Sequence, residues 1–110
     1  MNRVLRKIKQ MWPDADLQEI LDLLNAYGTE SYETGRIRVQ LAILKLSEGD
    51  RERLPALVKM AKVDFRDVLA YAEYPEEMRT DPTKMRDISE EEAQSIRQRD
   101  REQYEVWLEE

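Results

Sequence analysis

The sequence predicts an all-α protein: a small antiparallel bundle of four main helices with a fifth, polar helix at its C-terminal end. Every periodic apolar pattern recurs at helical spacing, and proline, glycine or capping residues separate the patterned segments. The length of 110 residues suits one domain rather than two cores. We expect a basic amphipathic helix at 1–12, a helical core at 14–75, a linker at 76–88 and an acidic helix at 89–110.

The first predicted helix is basic and amphipathic. Its apolar residues follow the i, i+3/i+4, i+7 rule and are Val4, Leu5, Ile8, Met11 and Trp12. Its basic residues are Arg3, Arg6, Lys7 and Lys9. Pro13 ends the helix because a proline disfavours α geometry in the residue before it. We expect the apolar stripe to pack on the core with the basic groups in solvent; dimerisation through the stripe and docking on the acidic tail are the alternatives.

The next two helices have clear boundary signals. Asp14 or Asp16 can cap the second helix, and Asp16 with Glu19 three residues later has the spacing of a capping box. The stripe of this second helix is Leu17, Ile20, Leu21, Leu24 and Tyr27. Gly28 supplies its left-handed stop. The third helix is expected to begin near residue 30 or 32 and to end at Ser47, before Gly49. Because it is apolar on most of its circumference, it should be central.

The fourth segment predicts one turn at 50–53 and then a single long helix at 54–73, ended by Pro75. The linker at 76–88 is indicated by a stretch from Tyr74 to Asp87 that holds two prolines and few apolar residues. Ser89 and Glu92 make a capping box for the last helix, which is poor in apolar residues. Its apolar end forms a candidate partner surface that consists of Tyr104, Trp107 and Leu108.

Composition excludes several classes of function. The chain has no cysteine and no histidine, which excludes disulfide frameworks, zinc fingers and Ser–His–Asp catalysis. Apolar runs such as Leu41–Leu44 are far too short to span a membrane. A net charge of −6 argues against nucleic-acid binding, which requires a basic face. We therefore expect a cytoplasmic protein without nucleic-acid partners.

A polar cluster is predicted where the third and fourth helices run side by side. Asp64 and Asp67 share one face of the predicted fourth helix, without a basic residue three or four positions away. Arg36 or Arg38 of the third helix would supply the partner. The tyrosines near these ends either cover one end of the core, with their hydroxyls in water, or form a candidate docking patch. They are Tyr71 and Tyr74, with Tyr27 and Tyr32 nearby.

A second hypothesis uses the carboxylates as metal ligands. Glu30 and Glu33 lie level with Asp64 and Asp67 across the predicted helix pair, which gives four oxygen donors of the kind that Mg²⁺ prefers. Two i, i+3 acid pairs on paired helices resemble the motif of the all-α nucleotide pyrophosphohydrolases. The second pair departs from that motif, since it begins with Asp rather than Glu. The resemblance implies Mg²⁺ held against a phosphate chain.

Two functions follow from these patterns. The favoured hypothesis is a non-catalytic protein-interaction or accessory module without a cofactor, which binds a protein partner or forms a homodimer. The alternative is a Mg²⁺-dependent enzyme that acts on nucleotide phosphates through Glu30, Glu33, Asp64 and Asp67. An ordinary role also exists for the two glutamates, because acids in a first turn complement the helix dipole.

Overall fold

A computed structural model describes residues 3–30, 35–80 and 87–110, and the regular structure of these residues is helical throughout. The helices are α1 (Arg3–Met11), α2 (Leu17–Asn25), α3 (Arg36–Ser47), α4 (Leu54–Val63), α5 (Phe65–Glu73), α6 (Pro75–Arg79) and α7 (Glu90–Glu109), with a 3-10 turn at Arg51–Arg53. The all-α prediction is confirmed. The chain divides into two compact units, Met1–Leu69 and Ala70–Glu110. The predicted domain boundaries, which differ from this division, stay predictions.

The core of the first unit is built around α3. This helix packs against α1 and α4, and α2 packs against the same two helices. Its buried residues surround most of its circumference and are Val39, Gln40, Leu41, Ala42, Ile43, Leu44 and Ser47. The predicted central position of the third helix is therefore confirmed. Each fully buried large apolar side chain contributes about 1.5–3 kcal/mol to this core.

The N-terminal helix packs on the core, as predicted, with Val4 and Ile8 buried. The expectation that all its basic groups lie in solvent is wrong for Lys7, which is only 1% exposed. Lys7 lies three residues after Val4 and directly before Ile8, so its aliphatic stem falls within the buried arc. Its Nζ donates to Gln10 Oε1 at 3.0 Å. The buried face of α1 is thus wider than its apolar residues alone indicate.

The ends of α2 follow the sequence signals, whereas the start of α3 does not. Asp16 Oδ1 accepts from the backbone N–H of Gln18 at 2.9 Å, which confirms the predicted cap. Gly28 has a φ of +100°, shortly after the C-cap at Ala26. The third helix begins only at Arg36, because Gly35 precedes it with a left-handed φ of +62° that helical backbone cannot adopt.

The second unit contains α6 and α7, which pack against each other. Pro75 ends α5 as predicted, but it also occupies the first turn of α6, where its missing N–H costs nothing. Part of the predicted linker is therefore helical. Ser89 Oγ accepts from the Glu92 backbone N–H at 3.1 Å, which confirms the predicted cap of α7. Within the described ranges, no helix is long and apolar enough to cross a membrane.

Candidate functional site

The prediction of one long helix at 54–73 is wrong, because the helix is interrupted at Asp64, between α4 and α5. The backbone of Asp64 is extended, with φ −154° and ψ 99°. Its N–H still donates to Met60 O at 3.0 Å, while its carbonyl accepts from the Asp67 N–H at 3.3 Å. Its Oδ1 accepts from the Arg66 N–H at 3.0 Å, as an N-cap does. Asp64 is thus a cap, since its side chain competes with the backbone for local donors.

The break also changes the partner of Asp64. Arg66 donates through Nε to Oδ1 at 3.0 Å and through Nη2 to Oδ2 at 3.1 Å. This bidentate hydrogen bond, together with the backbone hydrogen bond, lowers the pKa of Asp64 below its usual value of 3.8. The ion pair that the described residues show for Asp64 is therefore with Arg66 rather than with the predicted Arg36 or Arg38, and a contact of these arginines with Asp67 stays a prediction. Residues i and i+2 do not face each other on a continuous helix, and only the extended cap brings these two side chains together.

The four carboxylates of the metal hypothesis have different surroundings. Asp64 is the cap described above, and Asp67 is exposed in the first turn of α5. Glu30 is exposed in a bend before α3 rather than in its first turn, and Glu33 lies outside the described residues. Across 3–30, 35–80 and 87–110, no group of three or more acidic side chains could hold a metal ion. With Glu33 outside these ranges, the four-carboxylate site stays a prediction.

Arg36 and Arg38 are exposed on α3. The Arg36 guanidinium donates through Nη2 to Asn25 Oδ1 at the end of α2. Its aliphatic part also lies over Gly28, where an added Cβ would approach Arg36 Cγ to 2.8 Å. Arg36 therefore links the start of α3 to the turn that follows α2.

Two further side chains bind the last carbonyls of α2. Gln40, buried on α3, donates through Nε2 to Leu24 O at 3.0 Å and to Asn25 Oδ1 at 3.2 Å. Lys62 of α4 donates through Nζ to Ala26 O at 2.8 Å. The last four carbonyls of a helix lack partners four residues later within it. Lys62 satisfies Ala26 O, and Gln40 adds a donor to Leu24 O, which also accepts from the Tyr27 N–H at 3.1 Å. The polar residues at this end of α2 thus have a structural role.

The predicted aromatic surfaces differ in exposure. Tyr71 and Tyr74 are exposed, as a docking patch requires, whereas Tyr27 is fully buried. Tyr32 lies outside the described residues, so the gathering of all four tyrosines stays a prediction. On α7, Tyr104 stacks on Trp107, with ring centroids 5.7 Å apart and planes 26° apart. These two rings and Leu108 are half-buried, and their role as a partner surface stays a prediction.

A largely apolar groove lies between α2 and α4. Its volume is about 450 Å³, and it is lined by Glu19, Asp22, Leu23, Ala26, Pro55 and Val58. The α2 residues are spaced i, i+3, i+4 and i+7, so they form one face of that helix. Val58 forms the buried floor, whereas Ala26 and Pro55 are exposed. The α2–α4 groove therefore has an apolar floor, and Glu19 and Asp22 form an acidic edge beside it.

The sequence reasoning missed this groove, although a signal for it exists. The predicted stripe of the second helix includes Leu24 but leaves out Leu23. Adjacent helical residues point about 100° apart, so Leu23 and Leu24 cannot both lie at the centre of one face. Leu24 is fully buried in the core, and Leu23 is half-buried on the groove side. The leucine outside the stripe marks a second apolar face of α2.

A smaller cavity lies at the break between α4 and α5. Its volume is about 340 Å³, and it is lined by Tyr27 and residues 61–66. Its charged groups are used in local contacts, since Lys62 holds the Ala26 carbonyl and Asp64 pairs with Arg66. The α2–α4 groove is consequently the stronger candidate for binding. No protein-family model, no curated protein and no solved structure matches this chain.

Proposed function

We propose that this protein is a non-catalytic interaction module that binds a protein partner through the α2–α4 groove. The observation that carries the proposal is the groove itself. Its volume is about 450 Å³, and its apolar lining residues are Leu23, Ala26, Pro55 and Val58. Binding sites of this size commonly combine an apolar lining with a few charged groups. A groove between two packed helices suits the insertion of apolar side chains from a partner.

The helical scaffold supports this role because it keeps the groove in one shape. The core face of α2 is buried through Ile20 and Leu24, and Lys62 of α4 bonds to the Ala26 carbonyl. Helix α2 is therefore held by its core face, and α4 is held by its packing against α3 and by the Lys62 contact with α2. The proposal includes the antiparallel four-helix arrangement as the scaffold, and it admits another protein or a second copy of this chain as the partner.

The proposal is tested with a pair of matched lysine variants. Ala26→Lys places a charged chain inside the groove, whereas Ala56→Lys makes the same change at an exposed position of α4 that does not line it. Lysine suits a helix C-terminus better than a first turn, so the control is the less stable of the two variants. Tagged wild-type and variant proteins are used to retain partners from a lysate, and sedimentation velocity measures self-association.

The expected result is a defined partner, or a self-associated species, that is present with wild type and Ala56→Lys and lost with Ala26→Lys. Circular dichroism verifies that both variants stay folded. Equal retention by the two variants would place binding elsewhere on the molecule and contradict the proposal.

A further inference from the structure

We infer that the partner segment is a basic amphipathic helix about two turns long in its contact region, supplied by another protein. This inference rests on the proposed function, and it adds the chemistry of the ligand. Shape, charge and the position of α1 each support it.

The shape of the groove suits a helix. Its lining extends along α2 from Glu19 to Ala26, which corresponds to about 10 Å at ~1.5 Å per residue. The lining residues of α4, Pro55 and Val58, are one turn apart. A third helix can place apolar residues of spacing i, i+3/i+4 between two packed helices, because side-chain ridges fit such grooves. Two turns of a partner helix cover the whole length.

The charge of the groove selects a basic partner. Glu19 and Asp22 are the charged residues in its lining, and both are acidic and exposed. Asp22 accepts from the Gln18 side-chain amide at 2.8 Å, and among the described residues no lysine or arginine forms an ion pair with it. Two neighbouring carboxylates beside an apolar floor attract a helix with lysine or arginine next to its apolar face.

Two cations of the chain lie near the groove. Lys62 is at its Ala26 end, where Nζ donates to Ala26 O at 2.8 Å, and Arg51 is at the acidic edge, where it is weakly held. Arg51 approaches Glu19 at 3.7 Å, and the two side chains are 43% and 61% exposed. Exposed ion pairs of this kind contribute little, because water solvates both groups. A guanidinium or ammonium group of the partner can therefore replace Arg51 at little cost.

The chain's own basic amphipathic helix is not the occupant. The apolar residues of α1, Val4 and Ile8, are buried in the core of the first unit. Helix α1 of a second copy could enter the groove only by leaving that core. With α1 committed to the core, we assign the basic helix to a different protein.

The test uses two synthetic helical peptides of about 14 residues, a length at which a helix becomes marginally stable in water. Both have leucines at i, i+3, i+4 and i+7, and they differ only in flanking lysines or flanking glutamates. Each is titrated into the ¹⁵N-labelled full-length protein while amide shifts are followed. We expect the lysine peptide to shift the amides of Leu23, Ala26 and Val58 and to bind at least about tenfold more tightly than the glutamate peptide.

Protein variants assign that preference to the groove. The double variant Glu19→Gln with Asp22→Asn should remove most of the difference between the peptides, because it keeps the side-chain shapes and removes both charges. Ala26→Lys should weaken the lysine peptide about tenfold or more, whereas Ala56→Lys should leave it within about twofold. Added salt should weaken the lysine peptide in wild type more than in the double variant.

The outcomes separate this inference from the proposed function. Equal binding of both peptides in the groove would overturn the basic partner and leave the interaction module standing. Shifts confined to another surface, or no binding by either peptide, would overturn the basic helix; the pair of lysine variants described above then decides the proposed function independently.

Discussion

Single side chains decide where helices begin in this molecule. Asp64 ends α4 and caps α5, and its carboxylate binds both the backbone and the guanidinium of Arg66. In the second unit, Asp100 lies on α7 and caps a different helix. Its two carboxylate oxygens accept from the backbone N–H groups of Glu76 and Glu77 at 2.9 and 3.1 Å, in the first turn of α6. Asp64 thus caps a helix that begins next to it in the chain, whereas Asp100 caps a helix that is distant in the chain.

Two substitutions separate the functions of Asp64. Asp64→Asn keeps a capping oxygen but loses the charge that pairs with Arg66, whereas Asp64→Ala loses both. We expect Asp64→Ala to lower the urea midpoint at pH 7 more than Asp64→Asn does. A midpoint for Asp64→Ala equal to that of wild type would contradict the capping role.

The charge of Asp64 predicts a pH dependence. Because Arg66 lowers the pKa of Asp64 in the folded protein, the unfolded chain binds this proton first as the pH falls. The stability from the ionised form is therefore complete well above the usual value of 3.8 and is lost as the pH falls through the lower, folded value. The difference between wild type and Asp64→Asn, measured by urea unfolding, should be larger at neutral pH than at about pH 3. A difference that grows on acidification would contradict the ion pair.

The same contacts make Asp64 a poor metal ligand. Arg66 occupies both carboxylate oxygens, and a cation would have to displace its guanidinium. We expect millimolar Mg²⁺ to leave the amide shifts of Asp64 and Asp67 unchanged, in an NMR titration with NaCl at matched ionic strength as the control. Saturable shifts at both residues, together with shifts at Glu30 and Glu33, would instead support the four-carboxylate site.

Among the acidic residues of α7, Asp100 should contribute most to the stability of the fold. Its side chain is 1% exposed, so Asp100→Ala leaves two backbone donors of α6 without an acceptor inside the protein. We expect a loss of about 1–3 kcal/mol in the free energy of unfolding and faster amide exchange at Glu76 and Glu77. Glu105→Ala, an exposed acid on the same helix, is the matched control and should change stability by less than about 0.5 kcal/mol. Equal effects of the two variants would rule out the tertiary cap.

At the scale of elements, α3 organises the first unit because it is buried on most sides. Its Arg36 and Gln40 side chains hydrogen-bond to α2, and the helix packs against α1 and α4. The stability of this unit therefore depends strongly on the middle of α3 and weakly on its exposed start.

Two isoleucines of α3 test this directly. Ile43 is fully buried and Ile37 is 45% exposed, so the same change to alanine removes very different amounts of packing. We expect Ile43→Ala to cost about 2–5 kcal/mol in the free energy of unfolding and Ile37→Ala less than about 1 kcal/mol, measured by urea unfolding. Similar losses at the two positions would show that α3 is not central.

At the scale of the whole molecule, charged residues are distributed unevenly between segments and between buried and exposed positions. The basic residues of α1 include one, Lys7, that is buried, and the acidic edge of the α2–α4 groove lies in a segment of mixed charge. The net charge of −6 therefore does not describe any one surface. The proposed binding chemistry depends on two particular carboxylates beside an apolar floor rather than on the overall acidity.

The sequence by itself determined the helical class, the packing of α1, the central position of α3 and the caps at Asp16 and Ser89. These features depend on local periodicity and on side chains that bond to residues two or three positions away, which are fixed by chain geometry. The role of Asp64 was local too, but a continuous apolar stripe from Leu54 to Ala72 concealed it. Arg66, two residues later, can be recognised as the partner of Asp64 only when the backbone of Asp64 is known to be extended.

Only the tertiary structure decided the groove, the buried Lys7 and the cap from Asp100. Asp100 reaches N–H groups more than twenty positions earlier in the chain, and the groove combines one face of α2 with two residues of α4. Periodicity shows which residues share a face of one helix, but it carries no information on which helices meet. The difference between Leu23 and Leu24 shows this most simply: the sequence presents two adjacent leucines, and the packing of α4 against α2 makes one of them core and the other part of the groove lining.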